Sequence, residues 1–178
     1  MIKAQFLLFW LLFSLPTYGL TVLIDPGHGG KDDGAKGFFK RGKNPNVYLE
    51  KDITLDIAKK IKKKLKGECR IYLTRTIDRS VSLQKRAEMA EKISADLFIS
   101  IHVNGAESTS ARGFETFYLD NHDDAAVKKV EEVENVNLEG DELVVRKILT
   151  DLLVDRTVDS SKKLANLIHS RISKNVSR

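Results

Sequence analysis

Two histidines and a glutamate stand where an α/β protein would place chemistry. His28 lies three residues past a short apolar strand, in Asp25-Pro-Gly-His-Gly-Gly30, and His102 ends a later strand, in Ile99-Ser-Ile-His-Val-Asn104. Glu50 lies in the first turn of an amphipathic helix. Open α/β sheets put their ligands at the carboxyl ends of the strands, and a helix that follows a strand begins at that same edge. Topology therefore delivers all three side chains to one place. Two neutral imidazoles and one carboxylate are a zinc set, and three protein ligands leave the fourth position for water. Zinc would bring the pKa of that water towards ~7 and polarise a carbonyl, the requirements of amide hydrolysis. Gly27, Gly29 and Gly30 would let the backbone turn sharply beside the metal.

Each residue alone has an ordinary explanation. A histidine after a glycine-rich turn is often a loop residue, a first-turn glutamate is favoured by the helix dipole, and a strand-end histidine can simply hydrogen-bond its neighbours. The joint placement is what singles the three out. His122 and His169 fall on a polar turn and a helix face and read as surface residues. Two competing motifs fail: Gly30-Lys31-Asp32 lacks the Ser/Thr of a phosphate-binding loop, and Asp32 stands where a dinucleotide fingerprint opening at Gly27 wants glycine.

The elements that must position these residues can be read in order. Leu20–Ile24 is a β-branched run stopped by Asp25-Pro26-Gly27, hence a buried strand. The stretch Gly27 to Tyr48, with six glycines and Pro45, reads as a loop. Leu49, Ile53, Ile57, Ile61 and Leu65 mark an amphipathic helix with acids in its first turn and lysines in its last, stopped by Gly67. Arg70–Thr74 is a second strand, Ser82–Ser94 a helix capped by Ser82, Asp96–Val103 a third strand and Gly113–Leu119 a fourth. Asp123–Val136, Glu142–Val154 and Ser160–Ile172 carry helical spacing. This alternation predicts an α/β fold, with a mostly parallel or mixed sheet flanked by helices, in a phosphorylase/hydrolase-like single domain.

The 178 residues are 42% hydrophobic and 31% charged, which excludes wholesale disorder and a multi-pass membrane protein. A single cysteine excludes a disulfide framework and a Cys-rich zinc module. A net charge of +5 is too small to indicate nucleic acid, and the lysines of Lys59–Lys66 are most simply the solvated face of their helix, an anionic-polymer patch being the alternative. Residues 1–19 read as a secretory signal: Lys3, the apolar run Phe6–Leu15, the breaker Pro16 and small residues before a cut after Gly19. The run is about half of the ~20 residues a spanning helix needs, so no stable membrane anchor is expected. The expectation is an exported protein, periplasmic or secreted, whose folded domain is 20–178.

Several strings resemble one family. Ile24-Asp-Pro-Gly-His-Gly-Gly-Lys-Asp-Asp-Gly-Ala35, Leu49-Glu-Lys-Asp52, Leu73-Thr-Arg75 with Asp78 and Arg86, Leu97-Phe-Ile-Ser-Ile-His-Val-Asn104 and Gly113-Phe-Glu-Thr116 are similar, in order, to the motifs of zinc-dependent N-acetylmuramoyl-L-alanine amidases. The resemblance implies Zn2+ held by His28, Glu50 and His102. It also implies hydrolysis of the amide joining N-acetylmuramic acid to the L-alanine of the peptidoglycan stem, with Asn104 positioning substrate. Residues 120–157 resemble, more loosely, the regulatory helical insertion of the Gram-negative cell-separation amidases. That likeness implies a periplasmic activator protein and offers Glu131, Glu132 or Glu134 as an inhibitory fourth ligand; an acidic solvated helix is the alternative.

The resemblance also implies a further strand ending in a Val-Glu-x-Gly/Ala-Phe motif, whose glutamate is the catalytic base, and no such motif occurs in the sequence. The sequence-based expectation is therefore a zinc amidase truncated at its carboxy terminus. Its alternative is a catalytically inactive relative that binds zinc, cell wall or a divisome regulator. A zinc carboxypeptidase or endopeptidase acting on the stem peptide is a third reading.

Overall fold

The computed structural model describes residues 19–41, 44–105, 110–118 and 157–176. Nearly all of the expected signal segment, the helices expected at 123–136 and 142–154, and Glu131, Glu132 and Glu134 lie outside the described residues. The chain divides into two compact units, Met1–Val103 and Asn104–Arg178.

The first unit is built on a parallel sheet with its most apolar strand in the middle. Strand β1 (Thr21–Pro26) pairs with β4 (Arg70–Leu73) on one side and β5 (Leu97–Ile101) on the other. All six residues of β1 are buried, as expected of a strand flanked on both sides. Register aligns Ile24 with Leu73 and Ile99, and Val22 with Ile71 and Leu97. Helix α1 (Glu50–Lys64) covers that face, closing a core of Val22, Ile24, Ala58, Ile71 and Leu73, with Ile61, Leu65 and the half-buried Cys69 at its margin.

The helix buries Thr54, Leu55 and Ala58, whereas Ile53 and Ile57 of the expected stripe are only half-buried. A strict four-residue repeat walks about 40° per step round a helix of 3.6 residues per turn, so no single face holds all five positions. Lys59, Lys60, Lys62, Lys63, Lys64 and Lys66 are exposed, which is the solvated face the charge pattern predicts. Helix α2 (Leu83–Lys92) is capped as expected, Ser82 accepting from the Lys85 N–H at 3.2 Å. Its buried residue, however, is Arg86, not the apolar stripe.

Two expectations fail. The stretch from Gly27 to Tyr48 is not all loop, because it holds an antiparallel hairpin of β2 (Lys36–Arg41) and β3 (Asn44–Leu49). Pro45 masked the strand signal, yet it pairs with Lys40 in a two-stranded ribbon, where both strands have a free edge that tolerates proline. The fourth strand expected at Gly113–Leu119 is absent from its described part, residues 113–118, which run without strand pairing. Apolar alternation there meets no paired backbone among the described residues, and a strand exists only as a member of a ladder.

The second unit contains helix α3 (Val158–Val176), which includes the predicted Ser160–Ile172. Exposed His169 stacks on Phe114 at a centroid distance of 4.6 Å, so its surface reading stands. Among the described residues, no helix is long and apolar enough to cross a membrane.

Candidate metal centre

His28, Glu50 and His102 come together within the first unit. His28 leaves the end of β1, Glu50 opens α1 where β3 stops, and His102 directly follows β5. Their facing atoms are close: His28 Nε2 lies 3.2 Å from Glu50 Oε2 and 3.2 Å from His102 Nδ1, and His102 Nδ1 lies 3.3 Å from Glu50 Oε1. The two rings stand edge to face, at 82°. Four ligands round a zinc at about 2.0–2.1 Å are separated by about 3.3–3.4 Å, the edge of the tetrahedron. The two ring nitrogens lie one such edge apart, and each lies about as far from a different oxygen of Glu50. With one atom from each residue the three donors fall within 4.8 Å of one another, and their chemistry, two borderline nitrogens and one oxygen, suits a divalent ion of the zinc type.

Glu50 and His28 are held from behind. Glu50 accepts the Ala35 N–H at Oε2 (2.8 Å) and the Val103 N–H at Oε1 (2.6 Å), so the hairpin base and the chain after β5 both grip its carboxylate. Burial alone would raise the Glu50 pKa. Contacts with His102 and His28, and the two backbone donors, outweigh burial and hold it well below the usual carboxylate range. Burial likewise lowers the His28 pKa, but the Glu50 and Asp32 carboxylates more than offset it and the imidazole stands raised.

Close packing explains the glycines. A Cβ on Gly27 would lie 2.3–2.7 Å from three atoms of the His102 ring, and one on Gly34 would lie 2.6 Å from His28 Cδ2 and 2.7 Å from Glu50 Oε2. His28 itself adopts φ 60, the left-handed region that a side chain rarely occupies. Such a conformation persists only where its surroundings over-determine it.

The surroundings include residues to which the sequence reading gave no role. Asp32 Oδ2 lies 2.8 Å from His28 Nδ1. Lys51, beside Glu50, donates to the Gly30 carbonyl at 2.8 Å and pairs with Asp33 and Asp78 at 2.7 and 3.3 Å. Buried Asp25 accepts from Thr74, just past the end of β4, and from Ser100, its register partner on β5, and forms an ion pair with Arg86. A charged residue inside the apolar strand β1, and the four-residue spacing of His28 and Asp32, were the signals that could have marked them. Asn104 falls in the second unit, where its side chain donates to Glu115 at 3.1 Å.

Comparison with known proteins places the chain in a family. The chain is 42% identical over 118 residues to the N-acetylmuramoyl-L-alanine amidase LytC of Bacillus subtilis, covering 66% of this chain and 22% of that one. It is 30% identical over 166 residues to the amidase AmiC of Escherichia coli O6:H1, covering 87% of this chain and 38% of that one. The chain thus spans well under half the length of these two curated relatives. Among solved structures, the catalytic domain of CwlV, an N-acetylmuramoyl-L-alanine amidase from Bacillus (Paenibacillus) polymyxa var. colistinus, matches with a TM-score of 0.51 at 34% identity, over 64% of this chain and 62% of that one. A family model described as N-acetylmuramoyl-L-alanine amidase spans residues 22–178, which takes in both histidines, Glu50 and the sheet that carries them, and to that family the chain belongs.

Proposed function

We propose that this chain binds Zn2+ through His28, Glu50 and His102 and hydrolyses the amide between N-acetylmuramic acid and L-alanine in peptidoglycan. The observation that carries this reading is the convergence of two imidazoles and a carboxylate, with donor atoms within 4.8 Å of one another, at the carboxyl edge of the sheet in a member of the amidase family. When bound, zinc supplies Lewis acidity at the scissile carbonyl and an acidified water. The chain's own residues prepare the place. Asp32 accepts the His28 Nδ1 proton and so keeps the Nε2 lone pair directed at the site. The Ala35 and Val103 N–H groups keep Glu50 ionised and fix its rotamer. Under the same reading, residues 1–19 direct export to the periplasm or beyond. Asn104 contacts substrate, and residues 120–157, with Glu131, Glu132 or Glu134, hold the enzyme in check until an activator binds.

The test is direct. Zinc-loaded protein is incubated with peptidoglycan, and released peptides are identified by mass. Stem peptides with a free amino-terminal L-alanine are expected, their release abolished by a chelator and by His102→Ala. Full zinc occupancy with no release overturns the catalytic assignment in favour of a binding role. Cuts inside the stem peptide would assign the chain as a peptidase instead.

A further inference from the structure

Arg75 is fully buried, yet no carboxylate pairs with its guanidinium among the described contacts. Its donors go to neutral oxygens. Nε donates to the Pro26 carbonyl at 3.0 Å, and Nη2 alone reaches the Gly27 carbonyl at 2.8 Å, the Lys51 carbonyl at 2.7 Å and Thr54 Oγ1 at 3.2 Å. Nη1 is buried with no hydrogen-bond partner among the described residues. Burying a charge in this way is costly, and apolar packing would serve stability better.

What the arrangement achieves is a link. Pro26 and Gly27 lead directly into His28, and Lys51 and Thr54 belong to the first turns of the helix that Glu50 opens. One nitrogen therefore ties the loop of one ligand to the helix of another. Thr54 closes the same link from the other side, donating its hydroxyl to the Gly27 carbonyl at 3.0 Å. The Gly27 N–H donates to the Ile101 carbonyl at 3.0 Å, which joins the residue before His102 to the same point. Arg86 meanwhile holds the Pro26 and His28 carbonyls at 3.3 Å from the side of Asp25.

We propose that Arg75 is a positioning residue that sets the separation of His28 and Glu50, by holding the Gly27 and Lys51 carbonyls on a single guanidinium nitrogen. The proposal rests on the metal reading of His28, Glu50 and His102. A lysine at this position keeps the charge, but its ammonium ends one bond short of the Nη2 position and brings no counterpart of the Nε donor that holds the Pro26 carbonyl. Loss of the link should then appear as a changed metal site, beyond any change in stability.

The experiment titrates wild type, Arg75→Lys and Thr54→Val with Co2+ alone, following the visible ligand-field spectrum and the affinity by competition with a chromophoric chelator, with a thermal melt of each protein. Wild type is expected to take up Co2+ in a tetrahedral spectrum that His102→Ala loses. Arg75→Lys should bind ~10–100-fold more weakly, the usual cost of disturbing a residue behind a metal ligand, and with an altered spectrum. Thr54→Val, close to isosteric, should show a smaller change in the same direction and keeps the test open if Arg75→Lys does not fold. A folded Arg75→Lys with the wild-type spectrum and affinity overturns the positioning role and leaves the metal reading standing. If Arg75→Lys does not fold, an unchanged Thr54→Val does the same. A wild type that takes up no Co2+ overturns the metal reading and this proposal together.

Discussion

Asp32 Oδ2 sits 2.8 Å from His28 Nδ1, which leaves Nε2 as the ring nitrogen that faces Glu50 and His102. A carboxylate behind a metal-binding imidazole fixes its tautomer and raises its basicity. Asp32→Ala should therefore weaken zinc binding ~10–100-fold with the fold retained. Chelator competition measures it, and an affinity equal to wild type would show that the contact is incidental.

Gly27 does not need a left-handed backbone; it needs the absence of a side chain, since a Cβ there would enter the His102 ring. Gly27→Ala is expected to cost about 1–3 kcal/mol, as overpacking does, and to push His102 out of line. Both a lowered Tm and a metal stoichiometry below one per chain should follow. A variant that melts lower but still binds a full equivalent would confine the effect to packing.

Acid should act on the pairs round Lys51 as well as on Glu50. The Lys51 ammonium beside Asp33 holds that carboxyl below its usual value, and the Gly30 N–H does the same for Asp78, with Lys51 adding to it. A carboxylate lowered on folding contributes stability above its unfolded pKa of about 3.9 and loses it as pH falls through the lower folded value. Tm measured between about pH 6 and pH 2 should fall most steeply below about pH 4. Lys51→Met should start lower and lose less on acidification; parallel curves for the two proteins would refute the assignment.

The core makes a plainer demand. Ile24 is 1% exposed in the central strand and packs with Ala58, Ile71 and Leu73. Ile24→Ala should cost about 2–5 kcal/mol, read by denaturant titration in the metal-free protein. A loss well under that range would mean the sheet collapses readily into the space left.

The sequence determined the local pieces and the edge at which chemistry collects. Hydrophobic periodicity gave β1, α1, β4, α2, β5 and α3, because burial imposes a period of two or 3.6 on a strand or helix whatever it packs against. Strand-then-helix order alone brought His28, Glu50 and His102 to one side of the sheet. It could not give their 3.2–3.3 Å separations, which depend on how the hairpin base and the chain after β5 grip Glu50. Nor could it assign Asp25, Arg75 and Arg86, since a charged residue in a sequence reads as solvated. Only the folded chain shows Arg75 and Arg86 spending their donors on the backbone carbonyls round His28. Hairpin β2–β3 pairs residues close in sequence but was hidden by Pro45 and the glycines around it, whereas the missing ladder at Gly113–Tyr118 was decided by tertiary structure, because no local pattern specifies a partner strand.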